Sequence, residues 1–457
     1  MKKISLNCFT LTLIINQALF AQDQLEKSNG NRVIWESASL LSALSPEFDK
    51  KRVEDSEHPV LIITTDNHTN LHGLWKTKVP VNGGKYYSFS ITKKTENIGD
   101  VRKATPVNIH WVNNHGDPVL RDRNYSEKRL GLDTFTDPDA EWPWLARPEI
   151  PCKERVREDG SIEVSGVFQA PSNTTHAVVQ LHLRWVENAK VAWSNFSLKE
   201  VVPPLKKKVK VATVFLPSAP PGGNALEAAE IFSPFIKKAA AQGAGLICLP
   251  EFLNKRFTRL TYEKVAARIP GPVTEYFARL AKANDLHIVA GLVEKEGNVL
   301  YNTAVLVGPE GYVGKYRKAA LTLGEANTAG FTPGNDYPVF ETKIGKIGMM
   351  ICYDLYFPEV ARNLTKNGAE IIAMPIAGGN PVLAQARAIE NQVYLVTSTY
   401  DTRAAWIKTA IFDYDGKMLD FTDVPGTLAM AEIEISELPR YWAHQGNLSA
   451  SIYIQEP

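Results

Sequence analysis

The apolar residues of this chain change their period once, and that change divides it. In "AVVQLHLRW" (177–185), Val179, Leu181, Leu183 and Trp185 fall on one face and Gln180, His182 and Arg184 on the other, the pattern of a half-buried strand. "YYSFSI" repeats it with Tyr87, Phe89 and Ile91. "HPVLIITT", "VNIHWVN", "GSIEVSGVFQA" and "VAWSNFSLKEV" add strands, and no amphipathic helix interrupts them. Past "VVPPLKKKVK" (201–210) buried strands alternate with helices: "VKVATVF", then "NALEAAEIFSPFIKKAAAQGA" with a kink or stagger at Pro234, "GLICLPE", "VTEYFARLAKAND" and "LHIVAGLVE". "NTAVLVGPEG" and "VGKYRKA" read as a hairpin turning at Pro309 to Gly311.

Two fold classes follow. The first half is an all-β sandwich, a jelly roll, and the second a layered α/β domain with covered sheets. At 457 residues the chain is too long for one ordinary core. The expected organisation is a β-sandwich over 30–202, a Pro/Lys linker at 203–208 and the α/β domain over 209–457. The first residues, "MKKISLNCFTLTLIINQALFAQDQ", have the basic start, apolar stretch and small residue of a secretory signal peptide. Cleavage after Ala21 leaves a soluble, exported protein; the alternative is a retained N-terminal anchor. No later run reaches the roughly 20 apolar residues of a spanning helix. With 51 basic and 50 acidic side chains there is no net field for nucleic acid, and the triplet Lys206–Lys208 reads as linker rather than binding arm.

Four cysteines, with Cys8 inside the signal, leave Cys152, Cys248 and Cys352, so an exported chain carries at least one free thiol. Cys352 ends the apolar run of "KIGMMICYDLYFPE" (346–359). Pro358 suits the first turn of a following helix and Gly368 its end, which places Cys352 on a strand-to-helix bend of the kind that exposes a nucleophile. Taken alone, such a cysteine is more often packing. Histidine, its usual base, is scarce here: His287 is mid-strand and His444 in a late loop. The remaining candidates are charged residues at strand ends, Glu251 after "GLICLP" and Lys318 after "VGKYR".

In combination, "LPE", "YRKAALTLGE" and "GKIGMMICYDLYFPE" resemble, in order and spacing, the three signature segments of the nitrilase or carbon-nitrogen hydrolase superfamily. The resemblance runs from about Lys208 through at least Tyr400, including "ARAIENQVYLV" (386–396). It implies an αββα sandwich that assembles as a homodimer or larger homo-oligomer, and a Glu-Lys-Cys triad needing no metal or organic cofactor. By that resemblance Cys352 is the nucleophile, Glu251 the general base and Lys318 the partner of the oxyanion. Glu325 is then a second glutamate that positions substrate and triad, and the Tyr353 N–H belongs to the oxyanion hole. Two carboxylates beside one ammonium keep Lys318 charged and let one glutamate hold a proton near neutral pH.

Nitrilases proper usually carry Trp after the cysteine; Tyr353 and Asp354 look like the amidase and carbamoylase branches. Tyr356 stands where many amidases have Arg, Ala320 where many members have His, and "AGFTPGNDYP" after Glu325 is unusual. The first half resembles galactose-binding-like and other carbohydrate-binding modules in strand pattern alone. Trp75, Trp111, Trp142, Trp144, Trp185 and Trp193 include candidates for a sugar platform, "WPW" (142–144) foremost, although sandwich cores also use large aromatics. His68 and His72 sit in a turn-rich stretch, and no metal site is expected. The expected function is an exported hydrolase of a linear amide or N-carbamoyl group acting on a small molecule, with a possible glycan at the sandwich. The alternatives are a glycan-binding protein with an inactive hydrolase domain, a nitrilase, or a soluble N-acyltransferase.

Overall fold

A computed structural model of the protein describes residues 33–52, 58–120, 122, 145–436, 441–442 and 446–447. The signal segment, Trp142, Trp144 and His444 lie outside the described residues.

The first half forms two antiparallel sheets. One has the order Glu36–Ser39, His72–Pro80, His176–Arg184, Val107–Val112; the other runs Glu47–Lys51, Val60–Thr64, Lys190–Val201, Tyr86–Glu96, Ile162–Gln169, Lys153–Val156. Alternation explains why they face each other. Phe89, Ile91 and Val191 of one sheet share a core with Trp75, Val179, Leu181 and Leu183 of the other. Trp75, Trp111 and Trp193 are buried in that core. Trp185 departs from the expected pattern: the strand ends at Arg184, and Trp185 takes a positive φ of 61° and turns outward beneath the Arg184 guanidinium. His72 opens a nine-residue strand rather than lying in a turn, and its Nε2 is 3.0 Å from Nδ1 of His182. His68 lies 2.8 Å from Asp66.

In the second half two six-stranded sheets stack. The first has the order Gly311–Arg317, Val299–Gly308, His287–Glu296, Leu246–Cys248, Lys207–Phe215, Thr427–Ile435; the second runs Val339–Thr342, Gly345–Met349, Ile371–Pro375, Tyr394–Ser398, Thr409–Phe412, Met418–Thr422. Their inner strands, such as Leu246–Cys248, Ile371–Pro375 and Tyr394–Ser398, are buried throughout because both faces are covered. Val209, Val211, Leu246, Cys248 and Val289 point to the second sheet, packing with Ile347, Met349, Ile371 and Leu395. The intervening Ala212, Val214, Ile247 and Ile288 point to the outer helices Ala225–Glu230, Ser233–Ala241 and Pro272–Asn284. Helices Pro358–Lys366 and Pro381–Asn391 cover the other side. The result is an αββα sandwich. The break before Pro234 is a stagger between two helices.

Lys207 and Lys208 begin a strand, two residues inside the expected linker 203–208, because they pair in register with Ile435 and Glu434. Lys206 and Lys208 spend their charge on Glu434 (2.9 Å) and Glu432 (2.7 Å).

Candidate active site

Cys352 follows the strand Gly345–Met349 and occupies the left-handed region, φ 46°, which costs a non-glycine residue on the order of 1 kcal/mol. A single 3-10 turn, Cys352–Tyr356, separates it from the helix Pro358–Lys366, whose Pro358 needs no N–H at that position. Asp354 holds the bend. It accepts the Ile351 N–H (2.8 Å) and the Tyr316 hydroxyl (2.9 Å) on Oδ2 and the Ala320 N–H (2.8 Å) on Oδ1. Tyr316 Oη in turn accepts the Ala319 N–H at 3.1 Å. The segment just past Lys318 is thereby fastened to the cysteine bend.

Glu251 lies three residues beyond its strand and is 2 % exposed; Lys318, at 1 %, follows the strand Gly311–Arg317. Glu325 is on the turn Gly324–Thr328. These three meet. Lys318 Nζ is 3.1 Å from Glu251 Oε1 and 2.9 and 2.8 Å from the Glu325 oxygens. Thr322 donates to Glu325 Oε2 through both its N–H (2.8 Å) and its hydroxyl (2.9 Å). The remaining oxygen of Glu251, Oε2, accepts the Ala377 N–H at 2.9 Å, next to Gly378, whose carbonyl lies 3.9 Å from Cys352 Sγ. Cys352 itself is only half-buried, whereas Cys248 is fully enclosed between the sheets.

Burial pushes the Cys352 thiol up, the Glu251 carboxylate adds to this, and Lys318 opposes it without prevailing. The direction of that shift favours the neutral thiol, so any attack by its sulfur would need a proton acceptor close by. Burial disfavours the Lys318 charge, but Glu251, Cys352 and Glu325 outweigh it and hold the ammonium well above its ordinary range. Burial would raise Glu325, yet Lys318 and the surrounding donors bring it below the usual carboxylate value. The Tyr262 and Tyr400 phenols are raised first by burial and then by the charge of Glu251.

Sequence reasoning did not find Asn302 or the clamp formed by Asp354 and Tyr316. Asn302 donates its side-chain amide to Glu251 Oε1 (2.8 Å) and Glu325 Oε1 (2.7 Å). The available signal was an asparagine inside the apolar run "VLYNTAVLVG", where a polar residue needs buried partners. His287 takes no part; its Nδ1 lies 3.3 Å from the Gly245 carbonyl. Tyr353 is second in the 3-10 turn, where a helix has no internal acceptor for its N–H, and its ring packs 5.3 Å from that of Tyr356. Among the described residues no cluster of three or more His, Cys, Asp or Glu could hold a metal ion.

A stacked αββα domain that buries an ammonium between two carboxylates next to a thiol defines an enzyme of the carbon-nitrogen hydrolase class. Sequence comparison agrees: residues 168–441 match the carbon-nitrogen hydrolase family, and the chain belongs to it. The match begins inside the strand Ile162–Gln169, although residues up to Val201 pair within the first-half sheets. A protein named nitrilase from Pyrococcus abyssi is 39% identical over 219 residues, covering 45% of this chain and 81% of its own. Human omega-amidase NIT2 is 30% identical over 227 residues, covering 45% and 82%. The solved structure of an amidase from Nesterenkonia sp. aligns with a TM-score of 0.44 at 22% identity, over 49% of this chain and 90% of that one.

Proposed function

We propose that the protein hydrolyses a linear amide or N-carbamoyl group of a small molecule through a thioester on Cys352. The observation that carries this is the buried contact of Glu251, Lys318 and Glu325 beside the partly buried Cys352. Glu251 takes the thiol proton as sulfur adds to the carbonyl carbon. Lys318 and the Tyr353 N–H stabilise the oxyanion; losing such a donor typically costs about 3 kcal/mol at the transition state. Protonated Glu251 then hands its proton to the leaving nitrogen, the C–N bond breaks, and the acyl group stays on sulfur. Glu251 next deprotonates a water, which releases the acid and restores the thiol. Glu325 is saturated by Lys318, Asn302 and Thr322, so its role is to hold Lys318 charged and in place.

The relatives named omega-amidase, together with Tyr353 in place of Trp, favour an amide, whereas the 39% identical relative is named nitrilase, which keeps nitriles in the test. We further propose that residues 1–21 direct export, that the enzyme works as a homo-oligomer, and that the sandwich, jelly-roll and galactose-binding-like in strand pattern, aids recognition of substrate or a glycan. Among the described tryptophans of that sandwich Trp185 alone is open to solvent, at 52 %.

The test follows ammonia release and intact mass for the protein and Cys352→Ala with short amides, carbamoyl compounds and nitriles. Ammonia from the native protein alone, with an acyl adduct lost in the variant, is expected. Turnover of nitriles only would make it a nitrilase. Silence toward every substrate, with a thiol that iodoacetamide cannot reach, would leave a binding protein with an inactive hydrolase domain.

A further inference from the structure

The four groups at the centre of the site form a closed alternation of donors and acceptors. Glu251 Oε1 and Glu325 Oε1 are each touched by Lys318 Nζ, at 3.1 and 2.9 Å, and by Asn302 Nδ2, at 2.8 and 2.7 Å. Asn302 is 0 % exposed on the strand Val299–Gly308, and its backbone carbonyl also accepts the Lys318 N–H at 2.8 Å. One residue thus touches both glutamates through its side chain and the lysine through its backbone. Its orientation is fixed by chemistry: both neighbours are carboxylate oxygens, so the amide must present its NH2 and not its oxygen. The Oδ1 left behind is buried with no hydrogen-bond partner among the described residues. Such an orphan is costly, though it is shared among the described residues by Trp193 Nε1 and Asn391 Oδ1; here it leaves both amide hydrogens to the two glutamates.

We propose that Asn302 is a positioning residue for the proton transfer, one that ties down Glu251 Oε1 so that Oε2 is the oxygen presented to the Cys352 thiol. This rests on the reading of Glu251 as the base. Without Asn302, Oε1 keeps Lys318 as its one side-chain donor and Oε2 keeps the Ala377 N–H, so the carboxylate is held less firmly and fewer donors favour its charged form. Both consequences fall on the rate of deprotonation and not on substrate affinity.

The experiment compares the full-length protein with Asn302→Leu, which has similar volume and no donor, and Asn302→Ser, which retains one short donor. Two pH profiles are recorded: kcat/KM for ammonia release, and the rate of Cys352 alkylation by iodoacetamide read by intact mass. The second requires no amide substrate. For Asn302→Leu the expected result is a kcat lower by roughly 10- to 100-fold with KM little changed. The acid limb of both profiles should move upward by about 1 pH unit, with Asn302→Ser in between. If Asn302→Leu fails to fold, the intermediate shift of Asn302→Ser carries the test. Profiles that superpose on the native ones, or a loss confined to KM, would overturn the role of Asn302. A native protein that neither releases ammonia nor alkylates at Cys352 would instead overturn the hydrolase reading beneath it.

Discussion

Asp354 touches no reacting atom in this site, yet it sets the conformation of the residue that does. Burial raises its pKa to about 6 from 3.8, although the N–H groups of Ala320 and Ile351 favour the ionised form. The folded state therefore binds the proton more tightly than the unfolded chain does. The stability this contributes is complete below about pH 4 and is lost as pH rises through about 6. In Asp354→Asn that dependence disappears, and the amide must also face one backbone N–H with its own NH2. Chemical denaturation of the two proteins at pH 4 and pH 7 should show a larger deficit for the variant at pH 4, by about 2–3 kcal/mol at most. Carboxylates such as Glu325, which act in the opposite sense, are common to both proteins and cancel in the difference. A deficit equal at both pH values would mean that Asp354 stays ionised throughout. At pH 7 the misplaced bend should still lower kcat by roughly 100-fold, measured as ammonia release.

At the scale of elements, close backbone approach delivers Glu251 to its partners. Gly291, on the strand His287–Glu296, lies so near that a Cβ there would sit 2.6 Å from Glu251 Cα and 2.9 Å from the Pro250 carbonyl oxygen. Gly291→Ala should destabilise by about 1–3 kcal/mol, as overpacking does, and reduce kcat far more than a loss of that size elsewhere. Gly99→Ala, with nothing within 4 Å of the added carbon, serves as the control in the same melting and turnover assays. Equal activity for the two variants would show that Glu251 tolerates displacement. This also explains what was legible in the sequence. Many buried strands and the helix at Pro358 announce themselves by local pattern, though His72–Pro80 does not, and Glu251, Lys318 and Cys352 stand at strand ends that motif order could identify. Asn302 reaches Glu251 across 51 positions, and Tyr316 reaches Asp354 across 38. No local periodicity records such pairings. The edge strands Glu36–Ser39, Glu47–Lys51 and Lys153–Val156 escaped for a different reason: they are short and mostly exposed, so alternation barely marks them. Parity along the strand predicts that Trp185 faces inward, and parity fails once the backbone turns left-handed one residue past the strand.

At the scale of the molecule, the described cores are separate: that of the two antiparallel sheets includes no residue beyond Phe196 and Leu198, while those of the αββα sandwich begin at Val209. Between them Val202 and Leu205 are 83 % and 92 % exposed, in a stretch whose Pro203 and Pro204 discourage regular structure. Packing defects in one core should therefore stay there. Phe89, fully buried and 6.1 Å edge-on to Phe196, tests this: Phe89→Ala should cost the first-half sandwich about 3–5 kcal/mol. Calorimetry should show one transition moved down and a second unmoved, with kcat/KM for a short soluble amide within about twofold of native, since distant sites act additively. The same variant separates two uses of the sandwich. If it merely accompanies the catalytic domain, activity on every substrate survives its melting; if it gathers a bulky or glycan-bearing amide, activity on that substrate alone falls as the lower transition is crossed. A single shared transition, with short-amide turnover lost alongside it, would instead bind the two halves into one cooperative unit and place the sandwich within the catalytic fold.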